Sequence, residues 1–167
     1  MSPPPPGLPA EPPPEHSDHG YAALGVLVGA GGNWLYGAYD LEAGATIPHA
    51  PYGLRVRGLL VLKGGTMESD WSGEFSRFGA GAELRRCFAY SIVCAFLDLD
   101  FGRQHLTMND DSGDQVRDHT GVFVGPRIGL DLGTGLRARF AFEAYRQVSG
   151  AKTFGTGALA LAVGYQF

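Results

Sequence analysis

Leu159-Ala160-Leu161-Ala162-Val163-Gly164-Tyr165-Gln166-Phe167 closes the chain, and its side chains alternate without a break. Leu159, Leu161, Val163, Tyr165 and Phe167 are large and apolar, while Ala160, Ala162, Gly164 and Gln166 between them are small or polar. Successive side chains of a strand point to opposite faces, so this alternation predicts a strand with one apolar face. The final residue is itself aromatic, so the apolar face runs to the end of the chain.

Working back from that end, similar runs are separated by clusters of Gly, Pro, Asn and Asp. They predict eight strands at about 21–31, 37–47, 52–63, 72–85, 88–102, 119–132, 136–147 and 154–167. In the second, Tyr39, Leu41, Ala43, Ala45 and Ile47 share a face opposite Asp40 and Glu42. In the third, Leu54, Val56, Leu60 and Leu62 oppose Arg55 and Arg57. The fourth sets Phe78, Ala80, Ala82 and Leu84 against Arg77 and Glu83. The sixth sets Val122, Val124, Ile128, Leu130 and Leu132 against Arg127 and Asp131. The seventh sets Leu136, Phe140 and Phe142 against Arg137, Arg139 and Glu143. The fifth is apolar on both faces at its start and alternates only where Asp98 and Asp100 oppose Leu97, Leu99 and Phe101. Pro126 lacks a ladder donor and predicts a bulge in the sixth.

Composition narrows the class. No apolar run is long enough for a transmembrane helix, and 26 glycines argue against a helical protein. A net charge of -4 without a basic stripe gives no reason to expect nucleic acid. Residues 1–20 form a proline-rich lead with no core of its own, expected to be disordered, and 21–167 form one domain. At about 9–11 residues per membrane strand, that length suits eight strands and not a sixteen-stranded porin. Cys87 and Cys94, seven apart on one predicted strand, fall on opposite faces and are expected to be two inert thiols.

Alternation alone leaves open whether the charged face meets water or lines a lumen. A soluble, lipocalin-like barrel buries its apolar face, and a membrane barrel does the reverse. Charge chemistry favours the second. The chain has eleven Arg but only Lys63 and Lys152 as lysines, and the planar Arg fork suits enclosed pairing with carboxylates. Six Arg and seven acids on the charged faces are close to balance, as a narrow lumen requires, because unpaired charges there are costly. The predicted links 48–51, 86–87 and 133–135 are short and 103–118 is long and polar, a membrane-barrel habit. Tyr21, Tyr39, Tyr52, Trp71, Phe101, Tyr165 and Phe167 fall near strand ends, as interfacial girdles would place them.

A closing strand that ends on a terminal Phe resembles that of bacterial outer-membrane β-barrels. In that family a terminal aromatic, with apolar residues at alternate positions before it, is the assembly signal. The resemblance implies that role for Leu161, Val163, Tyr165 and Phe167, with the outer-membrane assembly machinery as partner. At this length the chain is similar to the small eight-stranded OmpA and OmpX type. That implies an all-β, eight-stranded antiparallel up-and-down transmembrane barrel, both termini in the periplasm, in the bacterial outer membrane. The family carries a signal peptide. None stands at Met1, so it is taken to have been removed.

The expected role is structural: a lipid-embedded monomer that presents surface loops, its lumen filled by Asp40, Glu42, Arg55, Arg57, Arg77, Glu83, Asp98, Asp100, Arg127, Asp131, Arg137, Arg139 and Glu143. A narrow gated ion channel and a soluble barrel binding a small hydrophobic ligand are the alternatives. No catalytic residue, cofactor or metal site is expected. Some small outer-membrane barrels are enzymes, but His105 and His119, the rim histidines, have no Ser at a telling sequence spacing. The acidic run 109–114 does not fit the EF-hand loop and reads as a solvated loop tip.

Overall fold

The computed structural model describes residues 20–31, 34–47, 54–68, 72–88, 92–109, 115–148 and 155–167. Eight strands form a closed antiparallel barrel in sequence order. They are β1 (Gly20–Gly31), β2 (Trp34–Ile47), β3 (Leu54–Glu68), β4 (Ser72–Phe88), β5 (Val93–Asn109), β6 (Gln115–Leu132), β7 (Leu136–Gln147) and β8 (Gly155–Gln166). Closure leaves no unpaired edge, which is what lets strands cross a layer without water.

The closing strand sits where its pattern requires. Leu159, Leu161, Val163, Tyr165 and Phe167 face outward, while Ala158, Ala160, Ala162 and Gln166 face in. Its last residue completes the seam with β1. The Gly20 amide donates to the Phe167 carbonyl at 2.8 Å and the Phe167 amide donates back at 3.1 Å. The Phe167 ring lies over Gly20, where a Cβ would overlap it.

All around the barrel the apolar face points out. Leu24, Val26, Val28, Leu60, Phe78, Leu97, Phe101, Ile128, Phe140 and Phe142 are among the exposed large hydrophobics. An exterior of this composition suits hydrocarbon and would aggregate in water. The soluble-barrel alternative required the reverse.

Four sequence expectations need correction. First, β4 runs on to Phe88 and β5 starts at Val93, so the turn lies beyond 86–87. Cys87 and Cys94 are therefore register partners on adjacent strands, joined as a disulfide, and not inert thiols. Second, Pro126 makes no bulge. Its partner on β5 is Leu99 in unbroken register, and β6–β7 pairing skips two positions and resumes in the same register at Arg127↔Glu143. Strand amides alternate between the two neighbours, so the missing donor opens only the β7 side. The register shift falls instead between Met108 and Asn109. Third, much of the long link 103–118 is strand, since β5 reaches Asn109 and β6 begins at Gln115. Fourth, the girdle loses three members: Tyr21 is buried in the lumen at 2% exposure, and Tyr39 and Phe101 face outward from well within β2 and β5, not from their ends. The lead 1–19 and the tip of the acidic run, 110–114, lie outside the described residues, as do Tyr52 and Trp71.

Gly20 and Phe167 stand at the end that carries the Gly133–Gly135 turn, called the short-turn end, with the loop end opposite. Link length does not separate the two ends as expected, since the links 32–33 and 69–71 at the loop end are as short. The Gln166 amide donates to the Gly135 carbonyl at 2.9 Å, and the Gly133 amide to the Ile92 carbonyl at 2.8 Å. Gly133 and Gly135 have φ of 113° and 69°, a region that side-chain-bearing residues rarely adopt, which lets Gly133-Thr134-Gly135 reverse the chain.

Glycines also make room inside. Tyr36 lies over Gly29, Phe96 over Gly129, Tyr145 over Gly125 and Tyr21 over Gly164; a Cβ at any of these glycines would overlap the ring. The rings then turn into the lumen beside the charges. Toward the loop end Leu27, Tyr36, Phe75 and Leu106 form an apolar cluster, with Tyr36 and Phe75 edge to face at 5.7 Å.

Candidate functional site

The lumen holds seven buried acids and seven buried bases among the described residues. The acids are Asp40, Glu42, Glu83, Asp98, Asp100, Asp131 and Glu143; the bases are Arg57, Lys63, Arg77, Arg85, Arg127, Arg137 and Arg139. β2 to β7 supply them. The inward residues of β1 and β8 are mostly small, and this leaves space for guanidiniums: Ala162 is the register partner of Arg139 and Ala158 that of Glu143.

Two arginines act as hubs. Arg139 donates from Nε to Asp131 Oδ1 at 2.8 Å, from Nη1 to Glu42 Oε2 at 2.9 Å and from Nη2 to Glu83 Oε2 at 2.5 Å. Arg127 donates from Nε to Asp98 Oδ2 at 2.8 Å and from Nη1 to Asp40 Oδ2 at 3.3 Å, and its Nη1 also pairs with Glu42. The planar guanidinium presents five donors in a fixed fork, and Arg139 uses it to serve three carboxylates at once.

Shared carboxylates join the hubs into one alternating chain along the lumen. Arg85 meets Asp131 at 3.3 Å, Asp131 meets Arg139, Glu42 bridges Arg139 and Arg127, and Asp40 bridges Arg127 and Lys63. Lys63 ends the chain on Glu143 at 2.5 Å and on the Tyr145 hydroxyl, which itself donates to Glu143 at 3.2 Å. Arg57 joins from the side through Glu83 at 3.2 Å. Aromatic faces complete the cage: Arg139 lies 4.1 Å from the Phe96 centroid and Arg57 4.1 Å from that of Tyr21.

Not every candidate joins that chain. Arg77 donates from Nε to Gln104 Oε1 at 2.6 Å and stacks 4.1 Å from the Tyr145 centroid. Arg137 donates from Nη1 to Cys94 Sγ at 3.3 Å. Asp100, beside Asp98, accepts no hydrogen bond from a described residue. Arg55 is only half-buried, at the short-turn end opposite Arg85. Sequence reasoning missed Lys63, Arg85, Tyr145 and Gln166. Parity alone would have found three of them: Lys63 shares the face of Arg57, Arg85 that of Glu83, and Tyr145 that of Glu143.

Outside, near the loop end, a polar row departs from expectation. His105 does have a Ser beside it: Ser76 is its direct register partner on β4, and Glu74 precedes Ser76 on the same face. The serine was hidden by its distance in sequence. The His105 ring nitrogens lie 3.3 Å from the Thr120 and Thr107 hydroxyls. The side chain of His119 lies outside the described residues. Among the described residues no three His, Cys, Asp or Glu side chains are grouped to hold a metal.

No protein-family model matches the chain, and no curated protein matches it in sequence. Solved structures do match in fold. Neisserial surface protein A is 15% identical with a TM-score of 0.62, the match covering 89% of this chain and 96% of that one. Ail, the attachment invasion locus protein of Yersinia pestis, is 14% identical with a TM-score of 0.60, covering 90% and 99%. The outer membrane enzyme PagL is 13% identical with a TM-score of 0.60, covering 87% and 100%. The fold is thus that of the small eight-stranded outer-membrane β-barrels.

Proposed function

We propose that this protein is a monomeric outer-membrane scaffold of a Gram-negative bacterium, a plugged barrel that presents loops at the cell surface. The observation that carries the reading is the burial of the luminal charges. Lys63, Glu83, Asp100, Asp131 and Glu143 are each 0% exposed, in the part of the barrel that a conducting pore would have to keep wet. Eight strands enclose an interior just wide enough for side chains to fill, and here paired charges and rings fill it. The disulfide fits an oxidising compartment at the short-turn end, the periplasmic side in this reading.

The test is conductance. Purified protein in planar lipid bilayers is expected to give no steady open level. A stable open level whose size changes in Asp98→Ala would overturn the plugged scaffold and favour the gated channel.

The closing strand is the proposed address for assembly. Deleting Phe167 removes both hydrogen bonds to Gly20 and the ring that covers it. The expected outcome is slowed or abolished insertion with synthesis intact, read as loss of the heat-modifiable band from membranes. Unchanged insertion would sink the claim.

One observation favours a second reading, an ester hydrolase. Ser76, His105 and Glu74 are grouped on the outer wall, and nucleophilic catalysis needs a hydroxyl, a base and an acid in that order. Their height, between the apolar band and the loops, is where the ester of an amphiphile would lie. The His105 ring nitrogens lie against the Thr120 and Thr107 hydroxyls, and scaffold remains the first reading. Release of fatty acid from mixed micelles, abolished by Ser76→Ala, would reverse that order.

A further inference from the structure

We propose that the Cys87–Cys94 disulfide is a thiol-exchange site, polarised by Arg137 so that an external thiolate adds at Cys87 and Cys94 is the leaving group. The bridge joins β4 and β5 inside the lumen at the short-turn mouth. Its two sulfurs differ in access and in charge. Cys94 is 0% exposed, while Cys87 is half-buried. Arg137 donates from Nη1 to Cys94 Sγ at 3.3 Å. Arg137 is buried on the inner face of β7, where its register partner on β8 is Gly164. Arg85 lies within electrostatic reach of Arg57 and Arg137 as well as of Asp131 and Glu83. Asp131, the register partner of Cys94 on β6, is already paired with Arg85 and Arg139, which leaves Arg137 as the cation on the sulfur.

Exchange is faster when the departing sulfur is a stabilised thiolate, and a neighbouring cation stabilises it. The thiolate of an incoming thiol attacks Cys87 Sγ and forms a mixed disulfide there. The Cys87–Cys94 bond breaks, and its electron pair leaves on Cys94 as a thiolate held by Arg137. A second thiolate then displaces Cys87, so the external thiols are oxidised to a disulfide and both cysteines are reduced. The partner class is a thiol or dithiol of the periplasm. Only that compartment rests on the proposed orientation; the chemistry rests on the mouth being open to water.

The experiment uses the full chain refolded in detergent micelles, with glutathione as probe, followed by intact mass and peptide mapping. The expected product carries glutathione on Cys87. Arg137→Gln should slow its formation roughly tenfold through loss of the cation, and Arg137→Lys should recover most of the rate. Folding of each variant is checked by heat-modifiable mobility, and the site of labelling in the unsubstituted protein decides the question even if a variant fails to fold. Label on Cys94, label shared equally, an unchanged rate in folded Arg137→Gln, or no label where the urea-unfolded protein is labelled would each overturn the proposal. None of these readouts depends on conductance or membrane orientation, so this inference and the scaffold reading fail separately.

Discussion

Arg139→Ala is expected to destabilise the folded barrel by roughly 3–5 kcal/mol, the range for breaking a buried charge pair by removing one partner. Arg139 serves Asp131, Glu42 and Glu83 together, so its loss takes a donor from three buried carboxylates. Each keeps one other base: Arg85 for Asp131, Arg127 for Glu42 and Arg57 for Glu83. That second partner keeps the effect from multiplying by three. Nothing fills the space, since Ala162 faces the position from β8 and the Phe96 ring loses the guanidinium stacked on it. The urea midpoint of the mobility-shifted, folded band in micelles reads the change. Arg139→Lys should recover only part of it, because a point-charged ammonium lacks the fork. A change within about 0.5 kcal/mol, typical of surface substitutions, would mean that the network adds nothing net to stability.

Parity explains what could be read from the sequence. Once Asp40, Arg57, Glu83, Asp98, Arg127 and Arg139 are taken as inward, the alternation fixes the facing of their strands, and the apolar residues opposite them do face out. The rule weakens where no charge marks a face. In β1 the inward residues are Tyr21, Ala23, Gly25, Leu27 and Gly29, and without a charged reference Tyr21 reads as an interfacial aromatic.

Turns were legible only where breakers mark them. Gly133-Thr134-Gly135 is plain, whereas the β4–β5 reversal falls in Phe88-Ala89-Tyr90-Ser91-Ile92-Val93, with no Gly, Pro, Asn or Asp. Placing that turn a few residues early put Cys87 and Cys94 on one strand and hid the disulfide. In an antiparallel hairpin, residues equidistant from the turn face each other, so the bond follows at once from the correct turn. The same logic hid Ser76 from His105: twenty-nine residues of sequence separate them, and register brings them side by side.

Val26→Arg is expected to cost about 2–4 kcal/mol and Leu130→Arg about 1 kcal/mol or less, because the penalty for a charge on the lipid face depends on depth. Both side chains point outward, Val26 at 58% exposure and Leu130 at 47%. Their depths differ. Val26 is the middle of the outward row Ala22, Leu24, Val26, Val28 and Ala30, and its register partners Tyr39 and Leu161 are outward too. Leu130 is the next-to-last outward residue of β6, followed only by Leu132 before the Gly133–Gly135 turn. An arginine there can extend its guanidinium to the headgroups, while one at Val26 has apolar neighbours above and below. Unfolding of the two variants in lipid vesicles would measure the difference. In water both positions would be ordinary exposed sites, each changing stability by about 0.5 kcal/mol or less. A large penalty at Val26 with a small one at Leu130 therefore requires a surrounding medium whose polarity varies with height along the barrel, as a bilayer's does.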